Sequence, residues 1–452
     1  MNIMLNADSY KASHYCQYPP GTKYISSYVE ARSGKYSSMC FFGLQAFIKQ
    51  YLLKPITMSE IMEAEQIITR HGLPFYRQGW EYILKQHAGF LPLAIEAVPE
   101  GSIIPIKNVV CQVRNTDPNC FWLTSYVETS LLRAIWYPTT VATRSYYIKN
   151  IMQKYLDETA DSSDKIEFML HDFGARGCSS LESSELGGMA HLVNFKGSDN
   201  LAAIYAAQQF YTADMPAFSI PAAEHGTIIS WGREREQDAY QHILEKFVDY
   251  PAVSIVSDSY DLYSAIKDIW GGTLKNQVSQ HPGVLVIRPD SGNPIFIVKE
   301  CLRMLAQSFG CRENSKGYKV LPDNIRIIQG DGVSESVIEQ VLYEVKAAGF
   351  SAENLVFGMG GELLQKLNRD TMSFAMKVSA VSDGKAWTGV AKQPSTDAGK
   401  NSRSGLLSLI NNKTVACLDE VDKAGNMLSV VYRDGKITKD QCWSEIVERA
   451  KL

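Results

Sequence analysis

Four times between Val253 and Gly361, an apolar, β-branched run ends in an acidic or glycine-rich tip and a helical pattern follows. The runs read VSIVSD (253–258), VLVIRPDSGNP (284–294), IRIIQGD (325–331) and LVFGMGG (355–361). From Asp258 to Asp290, Asp331 and Gly361 the steps are 32, 41 and 30 residues. That is the length of a βα unit and too long for a sandwich strand. Such a series restricts the chain to an α/β fold, a (β/α) barrel or an open parallel sheet. In both, ligands bind at the carboxyl ends of the strands.

The helical patterns have their own signals. Ile297, Cys301, Leu302 and Leu305 share one helix face. Ser336 with Glu339 reads as a capping box and Gly349 as a helix stop. After Gly361 the pattern ELLQKLNRD continues the series. At 452 residues two domains are expected. Met58–Arg70 reads as a helix, Leu93 to Val113 as short strands broken at Pro99, Glu100 and Gly101, and Phe121 to Trp136 as an amphipathic run. Beyond 380, strands and turns return around a loose polar stretch at Gln393 to Ser404. The expectation is a barrel over 151–379 carrying the site, with 1–150 and 380–452 forming one discontinuous α+β domain.

A formal charge of −4 gives no nucleic-acid surface, and no apolar run approaches the roughly 20 residues that cross a bilayer. The start, MNIMLNADSYK, lacks the pattern of a secretory signal. Nine scattered cysteines without CxxC or CxxH spacing fit reduced thiols. These features suggest a cytoplasmic protein without nucleic-acid or membrane partners, and make a structural zinc improbable.

Each tip residue has a plainer alternative. Gly358, Gly360 and Gly361 suit a phosphate cradle, since bare amides and a helix start favour an anion, but a tight turn needs glycine too. Asp290 and Asp331, with Gly330 beside one of them, offer acceptors to vicinal hydroxyls of a ribose, yet each could cap a helix. Asp258 lies between Ser257 and Ser259, where capping competes again. His171 and His225 sit at strand-to-loop transitions, where a histidine can be catalytic or structural.

ADSYKASHY (7–15), LHDFGARG (170–177), HLVNFKGSD (191–199), SIPAAEH (219–225), SDSYD (257–261), IRPDSGNP (287–294), QGDG (329–332) and GMGGELLQKLNRD (358–370) together resemble the nicotinamide phosphoribosyltransferase family. NTDPNCFWL (115–123) and ENSKGYK (313–319) extend the resemblance through nearly the whole chain. It implies a type II phosphoribosyltransferase fold, an irregular α/β barrel plus a sheet-containing domain, working as a homodimer with interface sites. The implied reaction joins nicotinamide to phosphoribosyl pyrophosphate, giving nicotinamide mononucleotide and pyrophosphate with Mg²⁺. ATP enhances it through a phosphohistidine.

By that resemblance Phe173 stacks on the pyridine ring, and Tyr10 of the partner subunit covers its other face. Arg288 donates to the carboxamide oxygen and Asp199 accepts from its NH₂. Arg176 and Ser219 belong to the substrate site. Asp290, Gly330 and Asp331 contact ribose. Gly360 and Gly361, with Arg369 and Lys377 from the other subunit, contact phosphate. His225 is the phosphorylatable histidine and Asp258 orients it; no residue is implied as metal ligand. Ala375 and Ala175 depart from the family's serine and tyrosine. A short Arg32-to-Phe41 segment, few basic residues in Gln393 to Leu407 and a short C-terminus bear on ATP coupling more than on transfer. Nicotinate phosphoribosyltransferase and a non-catalytic binding paralogue are the alternatives. An aldolase or isomerase barrel would want a tip lysine or an acid–base pair, and neither stands out.

Overall fold

The structure is a computed structural model describing residues 1–396, 400–418 and 424–451. Part of the Gln393–Ser404 stretch, at 397–399, lies outside the described residues. The chain forms two compact units: 144–206 with 214–366, and 1–143 with 207–213 and 367–451. The divisions expected near 150 and 380 thus fall at 143 and 367. The second shifts because Phe374–Ser382 pairs antiparallel with Tyr24–Ala31 and belongs to the sheet unit.

The barrel unit contains six parallel strands in the order Gly197–Ser198, Leu170–Asp172, Leu355–Met359, Ile325–Gln329, Val284–Arg288 and Ala252–Val256. Val253, Ile255, Leu285, Ile287, Ile325, Ile327 and Phe357 are fully buried, as expected where both faces of a parallel sheet are covered. The edges are closed. Phe218 bridges Gly197 and Ala222 bridges Ser254, both in parallel. Phe218 N donates to Lys196 O at 2.7 Å and Ser254 N to Pro221 O at 2.9 Å. One extended segment therefore lies against both edge strands and removes the free edges an open sheet would leave.

Helix Pro294–Phe309 buries Val298, Cys301, Leu302 and Leu305. Val298 takes the place expected for Ile297, which is half-buried and lies about 100° round the helix from it. Helix Glu335–Ala347 is capped by Ser334, whose hydroxyl accepts from Val337 N at 3.3 Å, instead of by a Ser336–Glu339 box. Gly349 lies just past its end with φ +80°. After Gly360 the helix lasts only Gly361–Leu364 before a separate turn at Arg369–Thr371.

The sheet unit holds a seven-stranded antiparallel sheet in the order Trp387–Gly389, Phe374–Ser382, Tyr24–Ala31, Val109–Asn115, Leu93–Ala97, Ser429–Arg433 and Lys436–Ile437. Helix Met58–Arg70 starts on a Thr57–Glu60 capping box. The expected amphipathic run becomes Leu123–Tyr126 followed by a helix extending over Glu128–Thr159, with Pro138 inside it. Gly43 leaves room for that proline, since a Cβ there would lie 2.3 Å from Pro138 Cγ. Buried Glu100 joins distant segments of this unit, accepting from Gly43 N, Gln45 N and Tyr211 Oη at 3.1, 2.6 and 2.8 Å. The Tyr211 bond ties 207–213 to the sheet unit. Among the described residues no helix is long and apolar enough to cross a membrane.

Candidate active site

Because the barrel strands run parallel, their carboxyl ends share one mouth. Phe173, Asp199, Asp258, Asp290, Gly330, Asp331, Gly360 and Gly361 each stand within two residues of a strand end, and Arg288 closes its own strand. Arg288 and Asp290, two residues apart in extended chain, lie on one side, with Arg288 Nε 3.7 Å from Asp290 Oδ1.

His225, first residue of the short helix His225–Ile229, joins this group. Its Nε2 is 3.1 Å from Asp258 Oδ1, and its Nδ1 is 3.8 Å from Asp290 Oδ2. Asp258 has only 3% of its side chain exposed. Its second oxygen accepts from Asp290 N at 3.0 Å and Ser291 Oγ at 2.5 Å. Asp258 is therefore no helix cap; Asp261 fills that role. Nor do Asp290 and Asp331 cap, since Asn293 and Ser334 start the helices that follow. Ser291, which the sequence reading missed, was recoverable only as a polar neighbour in DSGNP.

Phe173 lies over glycine. A Cβ on Gly358 would come within 2.0 Å of its ring, and one on Gly330 within 3.3 Å of the ring and 3.7 Å of Asp290 Oδ1. Aromatic face and carboxylate thus meet at Gly330. Asp172, also missed, is fully buried behind them. Its carboxylate accepts from Gly174 N at 2.7 Å and Asn200 Nδ2 at 3.0 Å, and its carbonyl accepts from Asp199 N at 3.1 Å. Burial, reinforced by the Asp199 charge, pushes the Asp172 carboxyl up to about 6. Exposed Asp199 accepts from Ser219 Oγ at 2.6 Å. His171 takes the structural role: its Nε2 meets Phe168 O at 3.1 Å, its ring fills the space a Cβ on Gly197 would need, and burial lowers its pKa.

Gly360 and Gly361 start the Gly361–Leu364 turn, and exposed Arg176 lies in the Ala175–Gly177 turn. Gly177 closely approaches Gly361, since a Cβ on Gly177 would lie 2.9 Å from Gly361 Cα. Tyr10, Arg369 and Lys377 belong to the sheet unit. Tyr10 is 54% exposed on a turn held by Asp8, whose carboxylate accepts from Thr129 Oγ1 at 2.7 Å, and by the Lys11–Glu128 ion pair. Arg369 and Lys377 line a cleft of about 840 Å³ with Arg32, Lys392, Lys400 and Arg403, opposed by Glu30 and Asp370. Burial depresses the Lys377 ammonium, aided by Arg32, Lys11 and Lys392 and opposed by Glu128. Ala375 lines the same cleft.

Mg²⁺ fits the mouth only as a guest of phosphates. Among the described residues, the one close trio of ligand-type atoms is His87, Asp117 and Cys120 of the sheet unit, whereas Mg²⁺ beside substrate phosphates needs only one or two carboxylates. Asp290 and Asp331, each two residues past a strand end, are carboxylates of that kind.

Residues 168–436 match the model of the nicotinate phosphoribosyltransferase (NAPRTase) family, and residues 2–95 match that of the nicotinamide phosphoribosyltransferase N-terminal domain. A nicotinamide phosphoribosyltransferase of Xanthomonas campestris is 47% identical over 97% of this chain and 96% of its own. One of Acinetobacter baylyi is 30% identical over 98% and 96%. The fold is shared with nicotinate-nucleotide pyrophosphorylase of Pyrococcus furiosus (TM-score 0.61, 15% identity, 99% and 95% covered) and human nicotinic acid phosphoribosyltransferase (TM-score 0.56, 14%, 98% and 92%).

Proposed function

The chain belongs to the nicotinate phosphoribosyltransferase family, and from that premise we propose that it transfers the phosphoribosyl group of phosphoribosyl pyrophosphate to nicotinamide in pyridine nucleotide salvage. The full-length likeness to nicotinamide enzymes, together with the matching N-terminal domain, favours the amide over nicotinate. Within the site, the observation that carries the proposal is the meeting of Phe173, Gly330 and Asp290 at one barrel mouth.

The pyridine nitrogen lone pair forms the bond to the anomeric carbon while the carbon–oxygen bond breaks, its electrons leaving on pyrophosphate. No proton moves, so positioning and electrostatics do the catalysis. Phe173 seats the ring, with Tyr10 of the partner subunit on its other face. Arg288 donates to the carboxamide oxygen, and Asp199, steadied by Ser219, accepts from its NH₂. Asp290 and Asp331 hold ribose hydroxyls beside Gly330, and their charge favours the developing oxocarbenium ion. Gly360, Gly361 and Arg176, with Arg369 and Lys377 of a partner subunit, hold phosphate. This arrangement calls for a homodimer with interface sites. Bound Mg²⁺ would neutralise charge on the leaving group, with Asp290 and Asp331 as its protein oxygens.

ATP enters through His225. Asp258, accepting from Nε2–H, leaves the lone pair on Nδ1, which takes the γ-phosphoryl group as ADP leaves. Nine free thiols fit a cytoplasmic setting.

The test is incubation with phosphoribosyl pyrophosphate, Mg²⁺ and either nicotinamide or nicotinate, with and without ATP. Nicotinamide mononucleotide is expected, with more formed when ATP is present. Its absence, or product from nicotinate alone, overturns the proposal. A carboxylate at Asp199 repels that of nicotinate, and a hydrogen bond to a charged group contributes about 1.5–3 kcal/mol. Asp199→Asn should therefore erode the amide preference at least tenfold in relative kcat/KM.

A further inference from the structure

The sequence has no zinc-like spacing, yet the fold gathers three ligand-type side chains from two turns of the sheet unit. His87 caps the end of helix Arg77–Gln86. Asp117 caps the turn Pro118–Cys120, which Cys120 closes. One ligand atom from each lies within 4.8 Å of the others, and His87 Nε2 stands 2.9 Å from Asp117 Oδ2.

A His–Asp hydrogen bond explains two members of this group but not the third. Cys120 is fully buried, and among the described residues its thiol makes no hydrogen bond. The surroundings are ordered as an outer ligand shell would be. Asn119 N donates to Asp117 Oδ1 at 2.7 Å, Tyr82 Oη donates to Oδ2 at 3.0 Å, and Asn119 Nδ2 donates to Tyr82 Oη at 2.9 Å. None of the three candidate ligands belongs to the barrel mouth.

We propose that His87, Asp117 and Cys120 form a three-ligand Zn²⁺ site that fastens the end of helix Arg77–Gln86 to the turn at 117–120. Nitrogen, oxygen and sulfur donors together suit a borderline-soft ion, whereas Mg²⁺ and Ca²⁺ want oxygen alone. Tetrahedral bonds of about 2.0–2.1 Å place nitrogen and oxygen ligands about 3.3 Å apart. The present 2.9 Å contact needs only a few tenths of an ångström of opening. On binding, the Cys120 sulfur bonds Zn²⁺ and its proton leaves to solvent. His87 offers its Nε2 lone pair, its proton moving to Nδ1. Water completes the tetrahedron.

The experiment uses the full-length protein, stripped with a chelator and titrated with Co²⁺ and then Zn²⁺. One equivalent of Co²⁺ should give a near-ultraviolet thiolate-to-cobalt charge-transfer band, which Zn²⁺ abolishes, and Zn²⁺ should raise the melting temperature. Cys120→Ala should remove the band while the equally buried Cys111→Ala keeps it. His87→Gln, at a half-buried position, should weaken Zn²⁺ binding at least tenfold. A folded wild-type protein without the band, a band that survives Cys120→Ala, or unchanged affinity in His87→Gln overturns the site.

Discussion

At the barrel mouth Asp258 is nearly buried and takes bonds from a ring, an amide and a hydroxyl, whereas Arg369 in the sheet unit's cleft is 55% exposed and pairs with its own neighbour Asp370. Both regions gather charge, under opposite conditions. At the mouth Asp258 is held in fixed geometry with little water around it, so its contacts are strong and scarcely screened. The cleft offers Arg369, Lys392 and Lys400 as exposed cations, where salt and side-chain entropy reduce each contact. Substitutions at the mouth should therefore be costly and insensitive to salt, and those in the cleft mild and salt-dependent.

The largest expected effect is thermodynamic and lies behind the mouth. Asp172 has its folded pKa raised from 3.8 to about 6. Below 3.8 the carboxyl is protonated in both states. As pH rises toward 6 the unfolded chain loses its proton first, so this contribution to stability is lost across that window and absent above it. The loss is about 3 kcal/mol. Asp172→Asn does not titrate. Denaturant unfolding from pH 4 to 7 should show wild type losing most of that amount relative to the variant. A difference constant with pH would mean the mouth is wetter than its burial implies.

Next comes Asp290→Asn, which weakens the charge shared with Arg288 and His225 and the proposed ribose contact. Charge-assisted hydrogen bonds contribute about 1.5–3 kcal/mol, so kcat/KM should fall about 100-fold, equally at low and high salt. A strong salt dependence would erase the contrast with the cleft. Gly358→Ala follows. A Cβ 2.0 Å from the Phe173 ring must displace it, and overpacking costs about 1–3 kcal/mol. The KM for nicotinamide should rise about tenfold while that for phosphoribosyl pyrophosphate changes little. Equal changes in both would show that Phe173 does not seat the base alone.

The same contrast explains what could be read from the sequence. In a parallel barrel every strand ends at one mouth, so the recurring apolar run and polar tip were enough to place Arg288, Asp290, Gly330 and Asp331 together. In the antiparallel sheet neighbouring strands end at opposite edges, and the cleft draws Arg32, Lys392, Lys400 and Arg403 from remote segments with no shared pattern. The barrel's closing segment was hidden for another reason. Phe218 to Ala223 contains Pro221 and pairs through isolated bridges, so it has no apolar periodicity to detect. Asp172 was passed over because a buried carboxylate is recognised by its partners, and Gly174 and Asn200 lie in separate loops. The jobs of Tyr10, Phe173, Asp199 and His225 came from family resemblance alone.

Within the cleft, Arg369→Ala should raise the KM for phosphoribosyl pyrophosphate about fivefold at low ionic strength and less than twofold at 0.5 M salt, as expected of an exposed, screened cation. A loss matching that of Asp290→Asn at both salt concentrations would place Arg369 among the mouth's fixed groups instead.

Ala375→Ser tests the same boundary from the side of gain. Ala375 lines the cleft opposite Glu30 in the sheet register, and a hydroxyl there adds one donor without disturbing the strand. A net hydrogen bond contributes about 0.5–1.5 kcal/mol, or about 2–10-fold in affinity. In a region of water and competing cations the lower end applies, so the KM for phosphoribosyl pyrophosphate should drop about twofold. On the proposed function, stimulation by ATP should rise in proportion where ATP also presents phosphate to the cleft. Initial rates over a phosphoribosyl pyrophosphate series, with and without ATP, measure both quantities. A gain above tenfold would mean that bound phosphate excludes water from the cleft as thoroughly as the barrel mouth does, and the distinction between the two regions would then hold only for the empty protein.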